Sequence, residues 1–236
     1  MTKNSKKYDE CVTKIKRLID DKNTMVVEDF DSQIELNIET LVQLIDIAGE
    51  EIRIYTDKIK DETYGDNRVI QQLKGFIIRY PHCRLKILLK QFQNNLEETK
   101  LYKMLSELKP EYKKQIEIRY MKKLVDSDFN CLVVDQFAYK LKIIEQQASK
   151  AYISFNDTQG VAVAISVVFN QHFNWYKSTK VDGFGTSYNL SNIINRKFNN
   201  NDIESLATKG RLLALRGYVV PDSFQDFKFN IQVESK

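Results

Sequence analysis

The chain has 236 residues, 42% hydrophobic and 29% charged, with only 8 Gly and 3 Pro. This is the mix of a folded globular protein, and it excludes a linker-rich or largely disordered chain. The formal net charge of +4 is modest, so where the charge sits matters more than its sum.

The opening segment, Met1-Thr2-Lys3-Asn4-Ser5-Lys6-Lys7, is polar and has no apolar signal core. Residues 1–24 carry Val12, Ile15, Leu18 and Ile19 at helical spacing, which predicts a short amphipathic helix. Met25 to Phe30 reads as a strand or extended arm. Leu41, Leu44, Ile45 and Ala48 predict a helix that stops near Gly49. Glu51 to Thr56 then alternates as a strand does. Asp66 or Asn67 caps a second helix, running through Val69, Ile70, Leu73, Phe76 and Ile77 to about Tyr80, with Pro81 closing it. Arg84 to Leu89 is the next strand. Leu101, Met104, Leu105 and Leu108 predict a helix ending near Pro110, and Ile116 to Tyr120 a third strand. Leu132 to Val134 and Ala151 to Ser154 are further strands, followed by a helix from about Val161 to Tyr176. Strand–helix–strand repetition of this size predicts an α/β layered sheet with much parallel pairing and helices on both faces.

After Lys180 the texture changes. Val181 to Thr186 is turn-rich, and 195–202 holds a run of asparagines. A last helix is expected over 202–216, with strands near 218–220 and 227–233. The expected organisation is an N-terminal helix and arm (1–34), a main domain (35–180) and a C-terminal extension (181–236).

Cys11, Cys83 and Cys131 form no C-x-x-C pair and, with His82 and His172, complete no usual zinc set. They read as free thiols of a reducing cytoplasm. The longest apolar run, Val161 to Phe169, is too short to span a bilayer. The expectation is a soluble cytoplasmic protein without metal or cofactor. No phosphate-cradling glycine loop, H-E-x-x-H or G-x-S-x-G motif occurs. Between Cys83 and Lys123 stand 11 Lys/Arg against 5 Asp/Glu, an excess that would attract phosphates or acidic partners.

One stretch is more specific. Phe129-Asn130-Cys131-Leu132-Val133-Val134-Asp135, with Ile153-Ser154-Phe155-Asn156 downstream, is similar to the H-x-K-x4-D segment and G-S-x-N element of the phospholipase D-like fold. The helix and strand of Glu39 to Thr56 and those of Val69 to Leu89 resemble the family's opening units, so the likeness covers roughly residues 35–180. The chain is also similar to uncharacterised bacterial single-copy members of the fold that have lost the motif, in which a late Phe and Trp, here Phe173 and Trp175, close the domain.

The resemblance implies a catalytic His and Lys at positions where this sequence has Asp128 and Asn130. An anion at the nucleophile's place repels a phosphodiester, and an amide supplies no charge to the transition state. The remnant Asp128, Asn130, Asp135, Ser154 and Asn156 is therefore read as a degenerate site, and the chain as non-enzymatic. A binding subunit of a bacterial or phage-related assembly is expected. Nucleic-acid phosphates would meet Lys100, Lys103, Lys113, Lys114, Lys122 and Lys123, with a second set at Arg196, Lys197, Lys209, Arg211 and Arg216. Three readings compete with it. One is a protein–protein adaptor or homodimer. Another is a nuclease with metal-binding carboxylates rebuilt from Asp126, Asp128, Asp135 and Asp157. The third is a lipid-headgroup binder, which lysine clusters do not distinguish from a nucleic-acid binder.

Overall fold

The computed structural model describes residues 10, 12–19, 24–121, 129–145, 148–174 and 178–184. The tail helix and strands expected beyond residue 184 lie outside the described residues, as does Trp175. Residues 12–19 are helical (α1), with Ile15 and Leu18 buried. Then follow β1 (Met25–Glu28), a 3-10 turn at Phe30–Ser32, α2 (Ile34–Asp46), β2 (Glu51–Thr56), α3 (Asn67–Arg79) and β3 (Arg84–Leu89). The second half contains α4 (Lys100–Ser106), α5 (Pro110–Lys113), β4 (Ile116–Met121), β5 (Phe129–Val134), β6 (Ala138–Glu145), β7 (Ala148–Ser154), α6 (Val161–Asn174) and β8 (Ser178–Lys180).

The strands form one eight-stranded sheet in the order β1-β7-β6-β5-β2-β3-β4-β8. Parallel pairing is confined to β2–β3–β4; the remaining neighbours run antiparallel. The sheet is thus mixed, with less parallel pairing than the strand–helix rhythm suggests. This layered, mixed α/β arrangement is consistent with the phospholipase D-like fold class expected from the sequence.

Alternation along the strands sorts the two faces. Ile52 and Ile54 of β2, Ile87 and Leu89 of β3, and Leu132 and Val134 of β5 join one core with Leu41, Leu44, Val69, Leu73, Leu101 and Leu105 from α2, α3 and α4. The intervening residues, among them Arg53, Tyr55 and Cys131, lie on the other face, where α6 packs along β5 and β2. Helix ends follow local chemistry. Asp66 accepts the Arg68 amide at 2.9 Å and starts α3. Thr99 starts α4 through the Tyr102 amide. Pro110 opens the one-turn α5 instead of ending α4, because a helix's first turn needs no N–H from it.

β6 was not anticipated from the sequence. Asp135 and Gln136 have φ of 47° and 66°, and the Phe137 amide donates to Val134 O at 3.0 Å. Two consecutive left-handed residues make the tight turn, and with Phe137 they form a three-residue connection between the paired Val134 and Ala138. Asn-Gly or Asp-Gly would announce such a turn; Asp-Gln does not. Gln136→Gly is expected to stabilise the protein by about 1 kcal/mol, since glycine takes this conformation without a Cβ clash. A urea midpoint that fails to rise would contradict this.

Cys83 and Cys131 are unpaired and buried. Burial pushes their thiols up, to about 11 and about 12, which makes them poor nucleophiles. Among the described residues no helix is long and apolar enough to cross a membrane.

Candidate anion-binding site

Asp128 lies outside the described residues. Asn130 is placed, on the α2 side of β5. Its amide Nδ2 donates to Asp57 Oδ2 at 2.9 Å, just past the C-terminal end of β2. Asp135 does something else. Its carboxylate accepts the backbone N–H groups of Gly49 (2.6 Å), Glu50 (3.0 Å) and Glu51 (2.5 Å). It thereby ties the α2–β2 loop to the hairpin turn, and is a brace.

Ser154 and Asn130 do not converge. Ser154 pairs with Tyr139, which pairs with Val133, so Ser154 belongs to the α6 face. It is also three residues away from Asn130 along the strand direction, about 10 Å. Asn156 sits beyond the end of β7, where Asp157 takes the Gln159 and Ala162 amides at the start of α6. Asp135 and Asp157 therefore direct their oxygens at backbone N–H groups. No metal-holding group of three His, Cys, Asp or Glu occurs among the described residues.

Asn130 instead borders a partly open cavity of about 330 Å³. Its floor is the α2 side of β5 and β6, with Asn130, Lys140 and Lys142 contributing. Asn37 of α2 and Asp31 line one wall, and the 57–64 loop with Lys58, Lys60 and Tyr64 lines the other. That loop is pinned by Gln93, whose side chain makes two hydrogen bonds to the Ile59 backbone, 2.9 and 3.1 Å. Ile59 is thereby buried while Lys58 and Lys60 stay exposed. Gly65 closes the loop, and a Cβ there would meet Asp61 at 2.6 Å.

The register carries the main point. Asn130 is the direct partner of Lys142, and Leu132 of Lys140. An antiparallel partner's Cα lies only about 5 Å away. Lys142 thus places a side-chain ammonium on the same sheet face, directly beside Asn130. Lys142 Nζ holds both oxygens of Asp31, at 2.5 and 2.6 Å. Lys140 is only 7% exposed, and its Nζ donates to Asn37 Oδ1 at 2.8 Å. The Phe30 and Tyr64 rings flank it at 5.7 and 6.0 Å. Burial, and next the Lys142 charge, bring its ammonium down to about 7. Asp57 shows the opposite balance. Burial pushes it up, but the Asn130 amide and the Lys90 ammonium, 2.9 Å away, outweigh that and hold it below the usual carboxylate range. The alternation Tyr139-Lys140-Leu141-Lys142-Ile143 was the sequence signal for these lysines.

Residues 33–167, more than half of the chain and all of the cavity's β-strands, match one family model, Domain of unknown function (DUF7931). The chain belongs to the DUF7931 family. No curated protein matches the chain. Among solved structures, it is similar to TrmBL2, an archaeal chromatin protein with a novel mode of DNA binding, at 19% identity and TM-score 0.43, covering 73% of this chain and 60% of that one. It therefore spans less than two thirds of the length of TrmBL2. It is also similar to NucT from Helicobacter pylori (11%, TM-score 0.46, 64% and 94% covered). A third likeness is to polyphosphate kinase from Porphyromonas gingivalis (9%, TM-score 0.41, 79% and 28% covered). With TM-scores below 0.5, these likenesses carry no conclusion about this chain.

Within the DUF7931 domain three cations of the basic stretch are engaged in ion pairs. Lys86 pairs with Glu51, Lys90 with Asp57 and Arg119 with Glu117. Lys100, Lys103, Lys113 and Lys114 lie on and beside α4 and α5, interspersed with Glu97, Glu98, Glu107 and Glu111. They do not line the cavity. Lys122, Lys123, Arg196, Lys197, Lys209, Arg211 and Arg216 fall outside the described residues. Neither histidine lines the cavity. His82 sits beside Tyr80 in the α3–β3 turn. His172 is on α6 beside Tyr55, with its imidazole held below its ordinary value by burial.

Proposed function

We propose that this DUF7931 chain is a non-catalytic binding subunit of phospholipase D-like build that holds a nucleic-acid phosphodiester backbone at the cavity beside Asn130. The observation that carries the reading is Lys142 directly opposite Asn130, with Lys140 two residues before it on the same strand face. Positive charge is kept where the resemblance places a phosphate, while the nucleophile's position is Asp128. A site with cations and no nucleophile binds phosphate without cleaving it. The exposed Lys58 and Lys60 at the cavity's rim extend the charge to phosphates of a polymer too long to enter.

Fluorescence anisotropy with labelled single-stranded DNA tests this. Affinity is expected to fall steeply with salt. The K58E/K60E variant should bind at least about tenfold more weakly and show a shallower salt dependence, because each lost phosphate contact removes about one from the slope. No binding at low salt, or cleavage of the oligonucleotide by the purified chain, would overturn the reading.

A further inference from the structure

The two cavity lysines are chemically unlike. Lys142 has a carboxylate partner, its Nζ donating to both oxygens of Asp31. Lys140 makes no ion pair among the described residues: Asp31 acts on it only at longer range, its hydrogen-bond partner is the neutral Asn37 oxygen, and two aromatic rings stand beside it. It is buried yet lines a cavity of about 330 Å³, large enough for a small organic ligand. A structural cation placed in a dry site is normally given a counter-charge. An amine without one, facing a cavity, is the arrangement that favours the neutral, nucleophilic form.

We propose that Lys140 is a nucleophilic amine that condenses reversibly with the aldehyde of a phosphate-bearing ligand held in this cavity. The Nζ lone pair adds to the carbonyl carbon, and the C=O electron pair moves to oxygen, which takes a proton. The carbinolamine then loses that oxygen as water, the amine giving up its two hydrogens in total, and a C=N bond remains. One water is released, nothing is oxidised or reduced, and addition of water reverses the step. Asn37 Oδ1 accepts an Nζ hydrogen, and Asn37 and Lys140 both line the cavity. Lys142, Lys58 and Lys60, on the same lining, are the cations for the ligand's phosphate. Burial and the adjacent Lys142 bring Lys140 to about 7, so a large fraction is neutral at neutral pH, whereas an ordinary surface lysine is almost entirely protonated.

This rests on the phosphate-binding reading of the cavity but is separable from it. The full chain is incubated with pyridoxal 5′-phosphate near equimolar ratio and reduced with borohydride, and the adduct is mapped by peptide mass spectrometry. The reduced adduct is expected on Lys140 in preference to the exposed lysines, with pyridoxal lacking the phosphate labelling at least about tenfold less. Lys140→Arg, which keeps the cation and cannot form an imine, should reduce the labelling to background, while Lys142→Met should keep the position of the label and lower its yield. An adduct spread over Lys58, Lys60 and other exposed lysines, with Lys140 unmodified, overturns the proposal. Lys140 labelling in a chain that binds no DNA overturns the nucleic-acid reading alone. DNA binding without Lys140 labelling overturns the imine alone.

Discussion

Asp135→Ala is expected to lower the free energy of unfolding by about 3 kcal/mol, more than substitution of Asn130, Ser154 or Asn156. The carboxylate is the acceptor for three successive amides, those of Gly49, Glu50 and Glu51. A donor left without a partner in a partly buried site costs about 1–3 kcal/mol, and water recovers part of that around the exposed Glu50. Alanine also tolerates the left-handed conformation (φ 47°) less well than aspartate. The damage would pass through the β2 start and the hairpin at once, since Asp135 joins them. Asp135→Asn, which keeps one acceptor oxygen, should fall between alanine and the wild type. Urea unfolding checks this, and an Asp135→Ala loss below about 1 kcal/mol would mean the three amides find other acceptors.

Lys140→Met is expected to stabilise the protein, and by an amount that depends on pH. In the fold Lys140 loses its proton near 7, against 10.5 for the free side chain. Between these values the unfolded chain binds more protons than the folded one, so stability rises with pH across this window. Below about 7 both states are protonated and the full cost is present, on the order of 5 kcal/mol. Above 10.5 it is gone. Lys142, Asp31 and Asp57 share the space with Lys140, as do Tyr64 and Cys131, both raised by burial. All are common to wild type and variant, so the difference between the two isolates Lys140. The variant should melt well above the wild type at pH 6, with the gap closing toward pH 10.5. A gap that stays constant with pH would show that Lys140 is charged in the fold throughout.

The fold was readable in the sequence where local signals agree. Ile52-Arg53-Ile54-Tyr55 alternates, Asp66 caps α3, and Pro81 follows its end, so these elements sit as expected. β6 escaped because its turn is Asp-Gln, with left-handed geometry at a residue that rarely takes it. The missing strand hid the site as well. Asn130 was visible in the sequence as the position where the resemblance implies a lysine, but Lys142 faces it only through the three-residue turn 135–137. One residue more or less would have sent Lys140 and Lys142 to the α6 face. Ser154 illustrates the converse. The resemblance implied a shared site with Asn130, yet the pairing of β7 with the extra strand β6 places Ser154 on the other face. Within the basic stretch between Cys83 and Lys123, Lys86 and Lys90 pair with carboxylates that only the tertiary fold brings to them, and Arg119 with Glu117 on its own strand.

The most direct test is a comparison of single-stranded DNA affinity, by anisotropy at low salt, between two charge-reversal variants of the full chain. One is K58E/K60E at the cavity rim; the other is K100E/K103E/K113E/K114E on α4 and α5. Binding through the cavity predicts that the first loses affinity by at least about tenfold and the second by less than about threefold, although the second removes more charge. The reverse order, or equal losses scaling with charge alone, would contradict the cavity as the binding site.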